Sequence, residues 1–404
     1  MKISLMTLNY LPNKGGLVSY VQNVSKEITK SSHSAVVHTT DGKNRELPEL
    51  ERIDGIQVYR HRALSMKGIL KLFTPFIVPL KLYSRFKLNL EKDEYVIIRH
   101  LYFAMALSLF KKRDNFIYII PLIAPRLQRM NIKQVNTFKK IYYYFLIPQL
   151  YLIEKFALNR IKNIATLSDT KKEEIVEFYN ISSNRVHVIP PGVDLEKFKP
   201  LVSQDEKEMI LKNEGLEILK EFKIILTVCR LSNEKNVTYA IDMISHMGEG
   251  FKLVIVGDGE ESSKLKKYVI DKELDDKVIF VGFKSNTEDF YRIADVFILP
   301  SKYEGFGHVY LEAMASGIPC IGLQHNPPNI ITATQEIIKQ NQTGFIDKGE
   351  NSEELANKLI SWFQNPLLVQ EYRKNCRTYV EENHSWNTHL TSIISLWEMN
   401  ERGD

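Results

Sequence analysis

The stretch LPSKYEGFGHVYLEAMASGIPCIG, residues 299–322, has the order strand, glycine-rich loop, helix, strand. An apolar strand ends at Ser301, and Gly305 and Gly307 allow the backbone to approach a ligand closely. A helix begins near His308, and the run IPCIGL supplies the next strand. A unit of this length predicts two parallel strands with the helix packed across them.

The same alternation of β-rich runs and helical stretches extends through most of the chain. The runs are KISLMTL, AVVHTT, IQVYRH, YVIIRH, NFIYII, NIATLS and VHVIP, followed by KIILTVCRL, KLVIVGDG, KVIFVG, DVFILPS, IPCIGL and TGFID. This pattern predicts the α/β class, with parallel sheets covered by helices on both faces.

The strand series lapses between Asp194 and Lys223, which places a domain boundary near residues 195–200. We therefore predict a first doubly wound domain over residues 1–196 and a second over residues 197–384. Residues 385–404 are expected to form a helix that crosses back to the first domain. Its apolar anchors are Trp386, Ile393, Ile394 and Trp397.

Composition excludes several protein classes. The 404 residues are 44% hydrophobic and 25% charged, which is typical of a folded globular protein and not of a fibre or a disordered chain. The three cysteines form no CxxC motif and no complete disulfide framework, which favours a reducing cytosol. We find no export signal, and the apolar runs at 72–80 and 141–153 are too short to span a bilayer as helices.

Charge is distributed unevenly. Residues 1–195 carry 30 Lys or Arg against 16 Asp or Glu, a net +14, whereas residues 196–404 carry 24 against 33, a net −9. The basic half suggests an anionic partner, although two oppositely charged halves that dock together would show the same asymmetry. The segments Ser65–Leu90, with Lys67 and Lys71, and Lys139–Phe156 mix lysines with apolar residues, which suits either an anionic lipid surface or buried core helices.

In open parallel sheets ligands bind beyond the carboxyl ends of the strands, so the loops there are the candidate sites. Gly15 and Gly16 follow the first strand and precede a helix, an arrangement that fits an anion or simply a tight turn. Arg230 and Lys235 follow the first strand of the second domain, and two cations in one loop suit a diphosphate. The VGDG turn at Gly257 lacks the third glycine of a dinucleotide fingerprint.

The loop at residues 304–307 combines acidic residues with a helix N-terminus. The positive end of the helix that begins near His308 suits a phosphate. Glu304 lies before that helix and Glu312 lies inside it. One carboxylate can therefore bind the hydroxyls of a sugar while the other binds a ribose, with the diphosphate between them.

Taken together, these motifs resemble glycosyltransferase family 4, retaining enzymes of GT-B fold. The resemblance covers nearly the whole chain and is sharpest from Ile189 to Gly344. It rests on Gly15 and Gly16, IPPGVD at 189–194, Arg230 with Lys235, VGDG, FVGF at 280–283, EGFG at 304–307 with the Glu-x7-Glu spacing to Glu312, ASGIP, and QTGF at 342–345. It implies two Rossmann-like domains facing a cleft. It also implies transfer of a sugar from a nucleotide-diphosphate sugar, UDP- or GDP-linked, without a cofactor or an essential metal.

The resemblance also implies residue roles. Arg230 and Lys235 would hold the diphosphate and stabilise the leaving group electrostatically. Glu304 would bind the sugar hydroxyls and Glu312 the ribose. The remaining donor-binding positions are Gly15, Gly16, Gly257, Gly282, Phe283 and Lys284, the last three beside the base, and Gly305, Phe306, Gly307 and His308 beside the sugar or phosphate.

His100, at the end of YVIIRH, matches the place where the family often has an active-site histidine. It would orient a hydroxyl of the donor sugar, while a structural histidine at a strand end is the alternative. The next strand, NFIYII, lacks the histidine that many members carry near its end, so the acceptor side departs from the family pattern. The remaining histidines, including His38 and His61, form no i, i+4 pair, and we assign them no role.

The expected acceptor is a glycan, a lipid-linked molecule or a small molecule, in cell-surface polysaccharide or glycoconjugate synthesis. The expected location is cytoplasmic, with peripheral contact to the inner membrane surface as a further hypothesis. A GT-B nucleotide-sugar epimerase and a non-catalytic nucleotide-sugar-binding protein are the alternatives. A nucleic-acid partner is not expected, because no recognisable nucleic-acid-binding module is present.

Overall fold

A computed structural model describes residues 1–13, 15–40, 46–62, 72–91, 93–111, 114–132 and 137–402. Lys67, Lys71 and the side chain of Lys139, which belong to the two predicted lysine-rich apolar segments, lie outside the described residues. The chain divides into two compact units. The first comprises Met1–Pro190 and Trp386–Asp404, and the second comprises Pro191–Ser385.

The first unit is built on an eight-stranded sheet with the order β3-β4-β2-β1-β5-β6-β7-β8. Its strands are β1 (Lys2–Met6), β2 (Ser34–Thr40), β3 (Leu50–Ile53), β4 (Ile56–His61), β5 (Tyr95–Ile98), β6 (Phe116–Ile119), β7 (Asn163–Thr166) and β8 (Val186–Val188). Its helices up to residue 190 are α1 (Gly16–Lys30), α2 (Thr74–Asn89), α3 (Leu101–Ser108), α4 (Ala124–Asn131), α5 (Thr137–Arg160) and α6 (Asp169–Tyr179).

One strand of this sheet was not predicted. β3 pairs with β4 in antiparallel fashion, whereas the other pairings in the sheet are parallel. The two strands are joined by Asp54 and Gly55, whose φ angles of 51° and 80° are those of a two-residue hairpin turn. The prediction of a purely parallel sheet is therefore wrong at this edge.

The second unit is built on a six-stranded parallel sheet with the order β11-β10-β9-β12-β13-β14. Its strands are β9 (Lys223–Val228), β10 (Phe251–Val256), β11 (Val278–Gly282), β12 (Val296–Leu299), β13 (Cys320–Leu323) and β14 (Gly344–Asp347). Its helices are α7 (Gln204–Asn213), α8 (Val237–Ser245), α9 (Ser262–Asp271), α10 (Thr287–Ile293), α11 (His308–Ala315), α12 (Thr334–Ile337), α13 (Ser352–Phe363) and α14 (Pro366–Asn383).

The central strands of both sheets are buried on both faces, as parallel sheets covered by helices require. In the second unit Leu253 and Ile255 of β10 pack with Ile241 and Ile244 of α8 in one hydrophobic core. In the first unit Ile98 packs with Phe103 and Leu107 of α3. The predicted α/β class, with two doubly wound units, is confirmed.

The last helix, α15 (Trp386–Arg402), belongs to the first unit although it ends the chain. Its anchors Trp386, Ile393 and Trp397 are buried, and Ile394 is partly exposed. His389 accepts a hydrogen bond from the Tyr20 hydroxyl of α1 at 2.6 Å, because its other ring nitrogen faces the Pro190 carbonyl at 2.8 Å and must carry the proton. The helix is thus attached to α1 by apolar packing and by a buried hydrogen bond.

Candidate active site

The strand order of the second unit determines where a site can form. β9 lies between β10 and β12, so the chain leaves β9 on one side of the sheet and returns to its other side at β12. Such a reversal opens a crevice at the carboxyl ends of the two strands. The loop after β9 carries Arg230 and Lys235, and the loop after β12 carries Glu304. The two most informative motifs of the sequence therefore meet at one point of the fold.

The loop after β9, residues 229–236, is supported by the glycines of VGDG. A Cβ atom at Gly257 would lie 1.8 Å from the Cys229 carbonyl oxygen, and one at Gly259 would lie 2.3 Å from the Leu231 carbonyl oxygen. Because the Leu231 N–H donates to the Asp258 carbonyl at 3.0 Å, the two loops are joined along their backbones. These contacts give Gly257 a packing role in the protein, beside the predicted role in donor binding.

Arg230 is held by a carboxylate that the sequence analysis missed. Its guanidinium lies 3.2 Å from Glu234, which is buried and also accepts a hydrogen bond from Ser232 at 2.6 Å. Burial raises the pKa of Glu234, but the Ser232 hydroxyl and the neighbouring cations outweigh it and hold the pKa below its ordinary value. The Arg230 side chain remains 58% exposed, so its fork is accessible to a ligand.

Lys235 and Glu304 form the central contact of the site. The ammonium of Lys235 lies 2.5 Å from Oε2 of Glu304, and both side chains are largely buried. Burial lowers the pKa of Lys235, but the adjoining carboxylate outweighs this effect and raises it, so the lysine is charged at neutral pH. Oε1 of Glu304 accepts the Gly305 N–H at 3.2 Å, which fixes the orientation of the carboxylate.

The backbone after Glu304 turns sharply into α11. Gly307 has φ +96°, a left-handed conformation, and a Cβ there would lie 2.7 Å from the Tyr310 ring. Tyr310 in turn donates to the Leu299 carbonyl of β12 at 2.7 Å, so the helix start is fastened to the strand. Gly305 and the Phe306 side chain are buried, and the Phe306 ring lies 5.9 Å from that of His308. Only glycine fits at position 307.

Glu312 is held inside α11 by a tyrosine of α10. Its carboxylate accepts a hydrogen bond from the Tyr291 hydroxyl at 3.0 Å. Burial raises the pKa of Glu312 to about 7, and the Tyr291 hydrogen bond opposes that rise. The group therefore changes its charge near neutral pH, which the sequence did not indicate.

The loop after β11 presents an exposed aromatic ring. Gly282 has φ +73°, its carbonyl accepts the Gly257 N–H at 2.8 Å, and the Phe283 ring is 55% exposed. Lys284 donates to Glu214 at 2.7 Å, which ties its ammonium to the residue after α7. The predicted base-binding loop thus offers an exposed ring, while its lysine is engaged in an ion pair.

The other predicted site residues belong to the first unit. His100 caps α3, because its Nδ1 accepts the Tyr102 N–H at 3.1 Å. Burial lowers the pKa of His100 to about 4, so the ring is neutral and carries its proton on Nε2. Gly15 precedes α1 with φ +134°, and a Cβ at Gly15 or Gly16 would meet no atom within 4 Å.

A pair of histidines elsewhere in the first unit also escaped the sequence analysis. His38 of β2 and His61 of β4 lie on neighbouring strands, with Nδ1 and Nε2 3.0 Å apart and both rings buried. Within the described part of the chain, no group of three or more His, Cys, Asp or Glu side chains is arranged to hold a metal.

Comparisons with known proteins cover most of the chain. Residues 14–197 match Glycosyltransferase Family 4, and residues 211–383 match Glycosyl transferases group 1. The chain is 27% identical to an uncharacterized glycosyltransferase of Methanocaldococcus jannaschii, across 99% of this chain and 98% of that protein. It is 26% identical to the alpha-monoglucosyldiacylglycerol synthase of Streptococcus pneumoniae, across 89% of this chain and 78% of that protein.

The fold is also shared with solved structures. HepE of Anabaena, in complex with UDP and glucose, superposes with a TM-score of 0.74 at 18% identity, across 98% of this chain and 99% of that one. At this identity the likeness concerns the fold, and the structural neighbours confirm the predicted GT-B class.

Proposed function

We propose a specific reaction for this chain, which belongs to the glycosyltransferases of family 4 and group 1, enzymes that use nucleotide-sugar donors. The protein moves a sugar from a UDP- or GDP-sugar to a glycan, a lipid-linked molecule or a small molecule, with retention of configuration and without a metal. The process served is the synthesis of a cell-surface polysaccharide or glycoconjugate, by a cytoplasmic protein that works at a membrane surface.

The contact between Lys235 and Glu304 carries this proposal. It places a cation and a carboxylate side by side in a largely buried position, where electrostatic interactions are strong. In the reaction the lysine stabilises the negative charge that develops on the leaving diphosphate. The carboxylate accepts hydrogen bonds from hydroxyls of the sugar being transferred. One pair of side chains thus contacts both groups joined by the bond that breaks, the sugar and the diphosphate.

Positive charge around the diphosphate comes from three protein sources. Arg230 offers two parallel N–H donors, Lys235 offers a point charge, and α11 begins beside Glu304 with its positive dipole end. Together they supply what a divalent cation supplies in other sugar transferases. Glu234 and Glu304 hold the two cations in place before the donor arrives, so little rearrangement is needed when the charge develops.

The remaining groups orient the donor. Glu312, when ionised, accepts hydrogen bonds from the ribose hydroxyls. The exposed Phe283 ring lies in the loop that receives the base. His100 is neutral with a proton on Nε2, so it donates a hydrogen bond to a hydroxyl of the sugar.

Two comparisons support the choice of donor and acceptor. HepE was solved with UDP and glucose, which favours a UDP-sugar as the donor. The Streptococcus relative is named a monoglucosyldiacylglycerol synthase, which favours a lipid or lipid-linked acceptor.

The test is transfer from labelled donors in the presence of EDTA. A panel of UDP- and GDP-sugars is incubated with the protein, with and without lipid and glycan acceptors, and nucleotide release is measured. We expect acceptor-dependent release from one donor, and NMR of the product should show the anomeric configuration of that donor. Release that requires added magnesium, or a product of inverted configuration, would contradict the proposal.

A further inference from the structure

Two helices of the first unit expose an unusual number of large apolar side chains. In the described residues, α5 exposes Ile141, Tyr144, Phe145, Leu152 and Phe156, and α2 with the residue before it exposes Phe73, Phe76 and Leu80. The two helices pack against each other. We refer to these eight exposed side chains together as the α2–α5 face.

The exposed positions recur with helical spacing. Ile141, Phe145, Leu152 and Phe156 lie on one side of α5, and Phe73, Phe76 and Leu80 lie three and four residues apart. The opposite side of α5 is already occupied, since Leu146, Leu150 and Ile153 are buried against Leu101. Since α5 is apolar on its exposed side as well as on its buried side, the exposed side is typical of an interaction surface.

The charges on these helices have a single sign at the surface. α2 contains no acidic residue, and α5 contains one, Glu154. Glu154 is buried and accepts hydrogen bonds from the Tyr118 and Tyr179 hydroxyls, so it presents no charge to solvent. Among the described side chains, the exposed cations are Lys81 and Lys87 on α2, and Lys140 and Arg160 on α5.

We propose that the α2–α5 face binds the surface of an anionic lipid bilayer. Apolar side chains would enter the boundary between headgroups and acyl chains, and the lysines and the arginine would contact the anionic headgroups. In the described residues, no helix has the length and apolarity that crossing a bilayer demands. In the proposed arrangement both helices lie along the surface, where α5 alone extends about 36 Å at a rise of about 1.5 Å per residue.

A second copy of the chain is a poorer occupant of this face. A twofold dimer places the same patch of each protomer against the other, so the cations of α2 and α5 would face identical cations. An anionic bilayer satisfies the apolar and the basic character of the face at once. If the acceptor is lipid-linked, as the proposed function holds, this contact also places the first unit where that acceptor resides.

The experiment is co-sedimentation of the full chain with vesicles, without donor or acceptor, so that its outcome does not depend on the transfer reaction. Vesicles of phosphatidylcholine alone are compared with vesicles of phosphatidylcholine and phosphatidylglycerol, at low salt and at about 0.5 M salt. We expect strong pelleting with the anionic vesicles only, and a loss of it at the higher salt concentration.

Two double variants test the two components of the face. Phe145→Ser with Leu152→Ser, both at exposed positions, should weaken vesicle partitioning by about tenfold. Lys81→Glu with Lys87→Glu should weaken it by a similar factor. The matched controls are Ile218→Ser with Leu367→Ser, which are exposed apolar residues of the second unit, and Lys267→Glu. The controls should bind like the unaltered protein.

Three results would overturn the proposal. One is equal pelleting with neutral and anionic vesicles, and another is unchanged binding in both double variants. The third is a dimer in sedimentation velocity that dissociates in the Phe145→Ser, Leu152→Ser variant, since a second copy would then cover the face. Unchanged thermal unfolding in each variant shows that a loss of binding reflects the surface and not the fold.

Discussion

The predicted site residues in the strand-end loops of the two units differ in charge. In the second unit, charged side chains are held by ion-pair partners: Lys235 by Glu304, and Arg230 by Glu234. In the first unit, the predicted site residues are uncharged, namely a neutral His100 and the open turn at Gly15 and Gly16. Charges that are fixed before binding suit a ligand of constant chemistry, such as a diphosphate, whereas open neutral loops suit a part that varies between substrates.

Loss of the Lys235–Glu304 ion pair should reduce turnover more than any other change considered. Lys235→Ala removes the cation at the leaving group and leaves the Glu304 carboxylate largely buried without its partner. The loss of one charged hydrogen bond costs about 1.5 to 3 kcal/mol, so turnover should fall at least about tenfold, and Glu304→Ala should have a similar effect. Steady-state nucleotide release measures both variants.

Lys302→Ala is the matched control, because Lys302 lies close to Glu304 in the sequence and is exposed. Its turnover should equal that of the unaltered protein. If Lys235→Ala and Glu304→Ala both keep near-normal rates, the assignment of the site is wrong.

Donor binding should depend on pH through Glu312. Its pKa of about 7 means that the carboxylate is ionised at pH 8 and mostly protonated at pH 6. A protonated carboxyl is a weaker acceptor for the ribose hydroxyls, so the KM for the donor should rise about tenfold as the pH falls from about 8 to about 6. Glu312→Gln, which has no titrating group, should have a high KM that does not vary with pH.

Tyr291→Phe provides an independent control on that interpretation. The hydrogen bond from Tyr291 opposes the rise in the pKa of Glu312, so its removal should move the KM transition to higher pH. A transition that stays in place in Tyr291→Phe, or that persists in Glu312→Gln, would assign the titration to another group.

In the first unit, the neutral His100 has two separable roles, as the cap of α3 and as a group that contributes to turnover. His100→Ala removes the cap of α3 and should lower the free energy of unfolding by about 1 kcal/mol, together with a loss of turnover. His100→Asn retains an acceptor for the Tyr102 N–H, so it should restore stability but not turnover. Thermal unfolding and nucleotide release separate the two effects. Full recovery of turnover in His100→Asn would show that His100 acts only as a structural cap of α3 and would contradict its assigned role in binding the sugar.

A metal chelator should change turnover very little. Because protein cations neutralise the diphosphate in this account, EDTA should leave turnover within about twofold of its starting value. Loss of activity in EDTA that magnesium restores would show that the fixed charges of the second unit are not sufficient.

Much of the fold could be predicted from short patterns. Each of the thirteen β-rich runs contains a strand of the structure, because buried parallel strands read as continuous apolar runs. β3 was missed because LERI places charged residues among apolar ones at an exposed edge. The Asp-Gly pair at 54–55 was a signal for that hairpin, since both residues adopt positive φ.

The site was less predictable than the fold. Glu234 could have been found, because it lies between Arg230 and Lys235 and four residues after the arginine. The contacts of Lys235 with Glu304 and of Lys284 with Glu214 join residues about seventy positions apart. Such contacts depend on which strands are neighbours in the sheet, and motifs read one at a time carry no such information. The raised pKa of Glu312 likewise follows from burial, which only the packed structure reveals.

Binding of a nucleoside diphosphate, measured by calorimetry in EDTA, tests whether Arg230 and Lys235 hold the leaving group. The unaltered protein should bind UDP or GDP far more tightly than the corresponding nucleoside. Lys235→Ala and Arg230→Ala should weaken diphosphate binding by about tenfold or more while leaving nucleoside binding unchanged. Equal affinity of both variants and the unaltered protein for the diphosphate would contradict the claim that this cation pair holds the leaving group.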